Sequence, residues 1–400
     1  MYFQRYSPRA VFVSFFIYSF MLGSLFPRLA DLQAQMGLGE GALGLALTGL
    51  PLGVQISLLV AGRITNLLSF SVVMVAGLFL IGVSFILAAL VSFYGGGPLL
   101  FFASLLIAGL SVGLIEVVVN LEADCVEFAT GKRIMNRAHA FWSFGFFSTA
   151  LLGAGASQMQ IPIITHMIAQ CLLVAAICFV LFLRYQQAPM RRQAGPKNAH
   201  EQAHETESDA DKSPLFVRPT GAILVLVGLT LSAMLAEGAA IDWSVIFMRD
   251  IFASPPLIGG MALALAAFFQ FATRFFADSL VAQFGARAVA RSCLSLLLVG
   301  SFCVVFSPHA GVALLGFALL GAGSSVIFPL AMSAAAQLQD RPAAVNVAAL
   351  AQISFVIFLA APPLLGLIAE LAGLRVSFAL CLPLVILSFV NLKGLSAEKG

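Results

Sequence analysis

The sequence predicts an all-α membrane protein: twelve transmembrane helices in two six-helix bundles related by a pseudo-twofold axis. Three observations carry this: an apolar composition, twelve continuous hydrophobic runs and a one-sided distribution of Lys and Arg. Of the 400 residues, 60% are hydrophobic and 10% charged, with a mean hydropathy of +1.01. A water-soluble domain carries about 25% charged residues. Phe occurs 36 times, and it meets hydrocarbon without leaving a polar atom unpaired. The net charge of +3 is too small to attract nucleic acid.

A membrane span needs about 20 largely apolar residues. Runs of this kind fall at 11–34, 41–64, 70–92, 98–124, 136–158 and 163–185, then at 218–246, 257–280, 288–307, 310–337, 343–369 and 374–393. They are continuous rather than alternating, which excludes a β-barrel. The basic, then apolar N-terminus reads as the first span rather than a signal peptide, since no small-residue cleavage site follows. The glycine- and proline-rich stretches around Gly321, Gly323 and Pro329, and around Pro362 and Pro363, mark kinked or closely packed spans. The six Cys never form a CxxC pair and read as small hydrophobes.

Of the 21 Lys and Arg, a twelve-span topology with both termini cytoplasmic leaves only Arg28, Arg249 and Arg375 on the outer side. That is the bias the positive-inside rule predicts, and shifting the span count by one destroys it. Residues 186–217 are polar, basic first and acidic afterwards, and read as a cytoplasmic linker. The domains are therefore expected at 1–185, 186–217 and 218–400. The linker's His200-Glu201-Gln202-Ala203-His204 matches the HExxH zinc-protease pattern, but zinc chemistry needs a packed helix and a third ligand. No metal site, cofactor or enzymatic activity is expected.

Ionisable residues within spans are functional candidates by default. In the fourth span Glu116 and Asn120, four apart, share a helix face; Glu116 either exchanges protons or pairs with a neighbouring Arg as a strut. His139, in the fifth span, is a proton relay or is simply solvated or bonded to a carbonyl; imidazole ordinarily titrates near ~6.5. Trp142 is packing or a platform for a flat ring. The seventh span carries Glu237, Asp242 and Trp243, with Arg249 a possible partner for Asp242. Gln270, Asn346 and Gln352 complete a solute site or bond helix to helix. Gly53, Gly62 and Arg63 close the second span, with Asn66 and Leu67 following. Arg274, Asp278, Gly285 and Arg287 occupy the corresponding place in the second half.

Six spans, a linker and six more spans resemble the major facilitator superfamily. Gly53, Gly62 and Arg63, and more fully Arg274, Asp278, Gly285 and Arg287, resemble its signature loop; the resemblance implies a gating role for Gly62, Arg63, Arg274, Asp278 and Arg287. Glu116 with Asn120, then Asn136, Ala138, Phe141 and Ser143-Phe144-Gly145, are similar to the fucose-permease-related branch, as are Gly238 and Trp243-Ser244. That resemblance implies proton coupling at Glu116 and places His139 and Trp142 where the sugar permease uses amides. The branch's first-span Asp, four residues before a Pro, is absent, for Gly23 stands there before Pro27. Glu237 is the candidate for that second titratable role. Asn120, Trp142, Trp243, Gln270 and Gln352 are expected to line the cavity.

The resemblance implies a secondary active transporter working by alternating access on a small organic solute, sugar-like or another polar metabolite. Its partners would be the solute, a proton as coupling ion and the lipid bilayer, and the chain would be a monomer in the inner membrane. Two alternatives are an exporter of drug-like or siderophore-like amphiphiles and a receptor or assembly partner that retains the fold without transport.

Overall fold

In a computed structural model the described residues, 7–182 and 218–395, are helical apart from their connections. The expected linker, with its His200 and His204, lies outside the described residues. Helix α1 runs Pro8–Leu22 and, after a 3-10 turn at Phe26–Arg28, Leu29–Met36. Helix α2 runs Glu40–Leu47 and Gly49–Leu67, α3 Phe70–Phe93 and α4 Gly97–Thr130. Helices α5 (Met135–Gln158) and α6 (Ile163–Phe182) complete the first half. The second half comprises α7 (Gly221–Phe252), α8 (Pro256–Phe284), α9 (Ala286–Val305) and α10 (Ala310–Ser324, then Ile327–Gln337). It ends with α11 (Ala343–Ala372) and α12 (Leu374–Ala379, then Cys381–Asn391).

Eleven of these spans are long and apolar enough to cross a membrane, and α5 is the exception. Asn136, Arg137, His139 and Ser143 crowd polar groups into its first half. The breaks in the other spans have a common cause. Proline has no N–H to give the carbonyl four residues earlier, and Pro51, Pro329 and Pro383 leave the carbonyls of Leu47, Ser325 and Ala379 without that donor. Helices α2, α10 and α12 each break at or beside that carbonyl. The first span, expected unbroken at 11–34, is interrupted at Gly23–Arg28, where Pro27 stands. Helix α11 passes through Pro362 and Pro363 without a break.

Between membrane helices lipid removes the hydrophobic drive, so small residues that let backbones approach hold the bundle together. Gly53 and Gly109 are such a pair: a side-chain carbon on Gly53 would strike the carbonyl of Leu106, and one on Gly109 that of Leu50. The halves meet differently on their two flanks. Helices α5 and α8 touch along their whole length, from Asn136–Asp278 at one end to Gln158 and Leu257 at the other, where the Leu257 amide donates to Gln158 Oε1 at 3.2 Å. Helices α2 and α11 cross at the end away from Pro8 and Asn391, where Gly44 lies against Pro362 and Gly366. There the Gly41 amide donates to Glu370 Oε2 at 2.7 Å. At that same end Arg249 donates to the Ala30 carbonyl (2.7 Å) and Gln33 Oε1 (2.6 Å). The halves are thus latched at the end opposite the termini.

Candidate functional site

The fourth span brings Glu116 and Asn120 together as their spacing requires. Asn120 Nδ2 donates to the Glu116 backbone carbonyl (2.8 Å) and to Glu116 Oε1 (3.0 Å). With its amino group fixed on two acceptors, Asn120 presents its carbonyl oxygen to His139 Nε2 at 3.2 Å. An amide oxygen only accepts, so Nε2 carries the ring proton in this arrangement. Phe15 packs edge-on to His139, with ring centroids 5.1 Å apart. The Tyr18 hydroxyl of α1 is a further hydrogen-bond partner of Glu116. The carboxyl is therefore held by α1 and α4, and the imidazole by α4 and α5.

One turn beyond His139, Ser143 carries the connection into the second half. Its hydroxyl lies 3.1 Å from Gln270 Oε1 and accepts from Arg274 Nη1, also at 3.1 Å. Arg274 Nε donates to the Ser325 carbonyl at 3.0 Å, the carbonyl that Pro329 deprives of its helical donor. Arg274 Nη2 faces Glu237 Oε1 at 3.5 Å. Each guanidinium nitrogen thus has a partner on a different helix, which offsets the cost, about 3 kcal/mol on insertion scales, of a charge at the middle of a span. Arg274 also lies within electrostatic reach of Glu116 and His139.

Arg274 lies deeper than the loop position its resemblance implied. Helix α8 continues ten residues past it to Phe284, about 15 Å of helix, so the side chain sits at depth between the halves. Asp278, one turn on, does lie at the terminus-bearing end and accepts a hydrogen bond from Asn136 of the other half. Arg287 Nη2 donates to the Lys393 carbonyl at 3.2 Å, within its own half. Gly285 takes φ +79° at the α8–α9 turn, a conformation a side chain would strain. The side chains of Arg63 and Asn66 lie outside what is described, and Gly62 with them.

A cleft lies beside the Arg274–Glu237 pair, between α5, α7, α8 and α10; its empty space, with the open solvent at its mouth included, is about 340 Å³. Trp142 and Phe146 form one wall, their rings stacked with centroids 5.4 Å apart. Glu237, Gln270 and Ser324 are its polar lining, and the remainder is Ala, Leu, Ile and Gly. Of the five residues expected to line a cavity, Trp142 and Gln270 do so. Asn120 sits in the polar chain instead, and Gln352 is half-buried on α11 away from the lining.

Trp243 is a correction: only 1% exposed, it lies against Gly366 of α11. Six residues at 100° each put it about 240° around the helix from Glu237. Asp242 is not Arg249's partner either, since Arg249 Nε binds Asp250 at 2.5 Å. The place of the missing first-span carboxylate is also explained. A side-chain carbon on Gly23 would lie 2.5 Å from Thr149 Cγ2 and 3.1 Å from the Phe146 ring, so α1 and α5 leave no room for an acid there. Tyr18 and Ser325 were not legible as site residues, being ordinary polar groups without the spacing of a motif, and Ser143 entered only through its likeness to the branch's fifth span.

Twelve spans in two bundles about a central polar chain define the architecture: the chain has the major facilitator fold. Solved structures of that fold match it nearly end to end. The nucleoside transporter NupG superposes with a TM-score of 0.70 at 12% identity, covering 98% of this chain and 99% of its own. The Escherichia coli fucose:proton symporter FucP superposes with a TM-score of 0.62 at 14% identity, covering 98% of both. In sequence, the chain is 26% identical over 377 residues to an uncharacterized MFS-type transporter of Yersinia pestis, covering 94% of this chain and 92% of that one. No protein-family model matches the chain.

Proposed function

We propose that the protein is a secondary active transporter that moves a small organic solute by alternating access, coupled to protons. It would sit in the inner membrane as a monomer with both termini cytoplasmic, its bundles at 1–185 and 218–400 joined by a linker at 186–217. One observation carries this reading: two polar clusters, Glu116–Asn120–His139 and Ser143–Arg274–Glu237, meet on α5, where the Ser143 hydroxyl lies 3.3 Å from the His139 carbonyl, and cross from one half to the other beside a cavity. Glu116 and Glu237 compete for the electrostatic influence of one cation, Arg274. A proton on Glu116 removes the competitor and leaves Arg274 to Glu237. Loss of that proton draws Arg274 back and loosens its hold on the cavity wall. A solute bound against Glu237 thereby feels the protonation state of Glu116 across the interface.

The test is flux in proteoliposomes with and without an imposed pH gradient. Wild type is expected to accumulate solute only with the gradient. Glu116→Gln is expected to lose gradient-driven accumulation yet keep solute exchange, because the cavity and the Arg274–Glu237 pair remain. Gradient-driven accumulation by E116Q equal to wild type would remove the coupling role. The mainly apolar lining around Trp142 favours a second reading, an exporter of amphiphiles, which inverted and right-side-out vesicles separate by direction.

A further inference from the structure

The cavity's few polar groups have a sign. Among the described residues its lining contains one carboxylate, Glu237, one amide, Gln270, and one hydroxyl, Ser324, and no Lys, Arg or His. The nearest cation, Arg274, has its donors placed on the Ser325 carbonyl, the Ser143 hydroxyl and Glu237, and the Glu237 contact is the longest at 3.5 Å. The second oxygen of Glu237 has no protein donor among the described residues. Asp242, five residues on along α7, is absent from the lining and stands about 140° around the helix from Glu237. A carboxylate oxygen left without a donor within a span is costly, and a partner that arrives with its own positive charge relieves that cost. Opposite α7, the face of Trp142 offers a flat apolar platform that also attracts cations.

We propose that the solute is an organic cation with a flat, largely apolar body. Its ring system lies against Trp142 and its positive charge against the α7 carboxylate Glu237. A polyol finds too few hydrogen-bonding groups in this lining, and an anion meets a carboxylate and no free cation. The proposal rests on the transporter reading for its biological sense, but its chemistry can be tested by binding alone.

The chain contains two Trp, and Trp243 is sealed against α11, so Trp142 is the fluorophore that a cavity ligand quenches. Purified full-length protein would be titrated with ethidium, a flat cation, with fluorescein, a flat anion of similar size, and with fucose, a neutral polyol. Ethidium is expected to quench saturably, and the Trp142→Phe variant is expected to lose that saturable signal. Glu237→Gln is expected to weaken ethidium binding by about tenfold or more, and Asp242→Asn, outside the lining, to leave it unchanged. Glu237→Asp keeps a carboxylate for Arg274 and is expected to retain binding, so it reports on charge even where Glu237→Gln impairs folding. Saturable binding of fucose or fluorescein without ethidium, unchanged ethidium affinity in Glu237→Gln, or its loss in Glu237→Asp would overturn the proposal. Ethidium binding without gradient-driven ethidium flux in proteoliposomes would support this chemistry while removing the transporter reading. Gradient-driven flux of fucose would do the reverse.

Discussion

At the scale of single residues the site depends on side chains that hold two partners at once. Asn120 ties Glu116 to His139, and no other described side chain bridges them. Asn120→Ala is expected to leave the Glu116 carboxyl and the imidazole short of a buried partner, at a cost of about 1–3 kcal/mol. Thermal unfolding in detergent checks that figure. Gradient-driven flux should fall further than stability alone explains, and wild-type flux in the variant would sink the relay. Arg274→Gln is expected to cost about 2–3 kcal/mol, at or below the range for breaking a fully buried ion pair because both side chains retain some exposure; the same unfolding measurement reads it. The contact between Glu116 and Asn120 was legible in the sequence, since helical spacing fixes an intramembrane acid's neighbours. Arg274 was legible as a residue but not in its place, because its likeness to a loop motif outweighed the ten helical residues that follow it. Trp243 was misplaced for a reason the sequence contains, its angle of about 240° from Glu237.

At the scale of helices, proline decides where backbone becomes available to side chains. Pro329 frees the Ser325 carbonyl, and that carbonyl receives Arg274 Nε. Pro329→Ala supplies an N–H that can close the helix over Ser325. The variant is expected to be at least as stable thermally as wild type but slower in flux, because Arg274 loses one of its three anchors. A variant with unchanged transport would show that the break is incidental. The same scale explains the three basic residues on the outer side of the expected topology. Arg28 donates to Asp31 at 2.6 Å and to the Ile161 carbonyl at 2.9 Å, and Arg375 donates to the carbonyls of Val305 (2.7 Å) and Ser307 (2.8 Å). With Arg249 on Ala30 and Gln33, each exception to the charge bias ties helix ends together. Hydropathy located these helices well, but their breaks depend on pairings between a proline and a carbonyl that no apolar run reveals.

At the scale of the molecule, two bundles share one continuous seam, α5 against α8, and one partial seam, α2 against α11. The partial seam is closed by Glu370, whose carboxylate accepts from the Gly41 amide in the first turn of α2. A negative charge at a helix N-terminus is worth about 1 kcal/mol. Glu370→Gln is therefore expected to shift the balance between the two access states by about fivefold toward opening at that end. Spin-label distances between α2 and α11 at the latched end should broaden toward longer values, while α5–α8 distances hold. A distance distribution identical to wild type would show that the Gly44–Gly366 contact alone carries the latch. Twelve spans and two halves were readable from hydropathy and charge, because lipid imposes both. Which end is shut was not, since closure rests on a few contacts between residues more than two hundred positions apart.

Helix α5 carries a consequence for how the chain is made. It supplies His139, Trp142 and Ser143 to the site, and those groups make it the one span that falls short of the apolarity its neighbours have. A segment of that composition does not partition into lipid readily by itself. Its insertion is expected to depend on neighbouring helices that shield its polar face. Biogenesis then selects against changes that make α5 more polar, while function selects against changes that make it less so. The helix that supplies most of the candidate site is also the one whose insertion is expected to depend most on its neighbours.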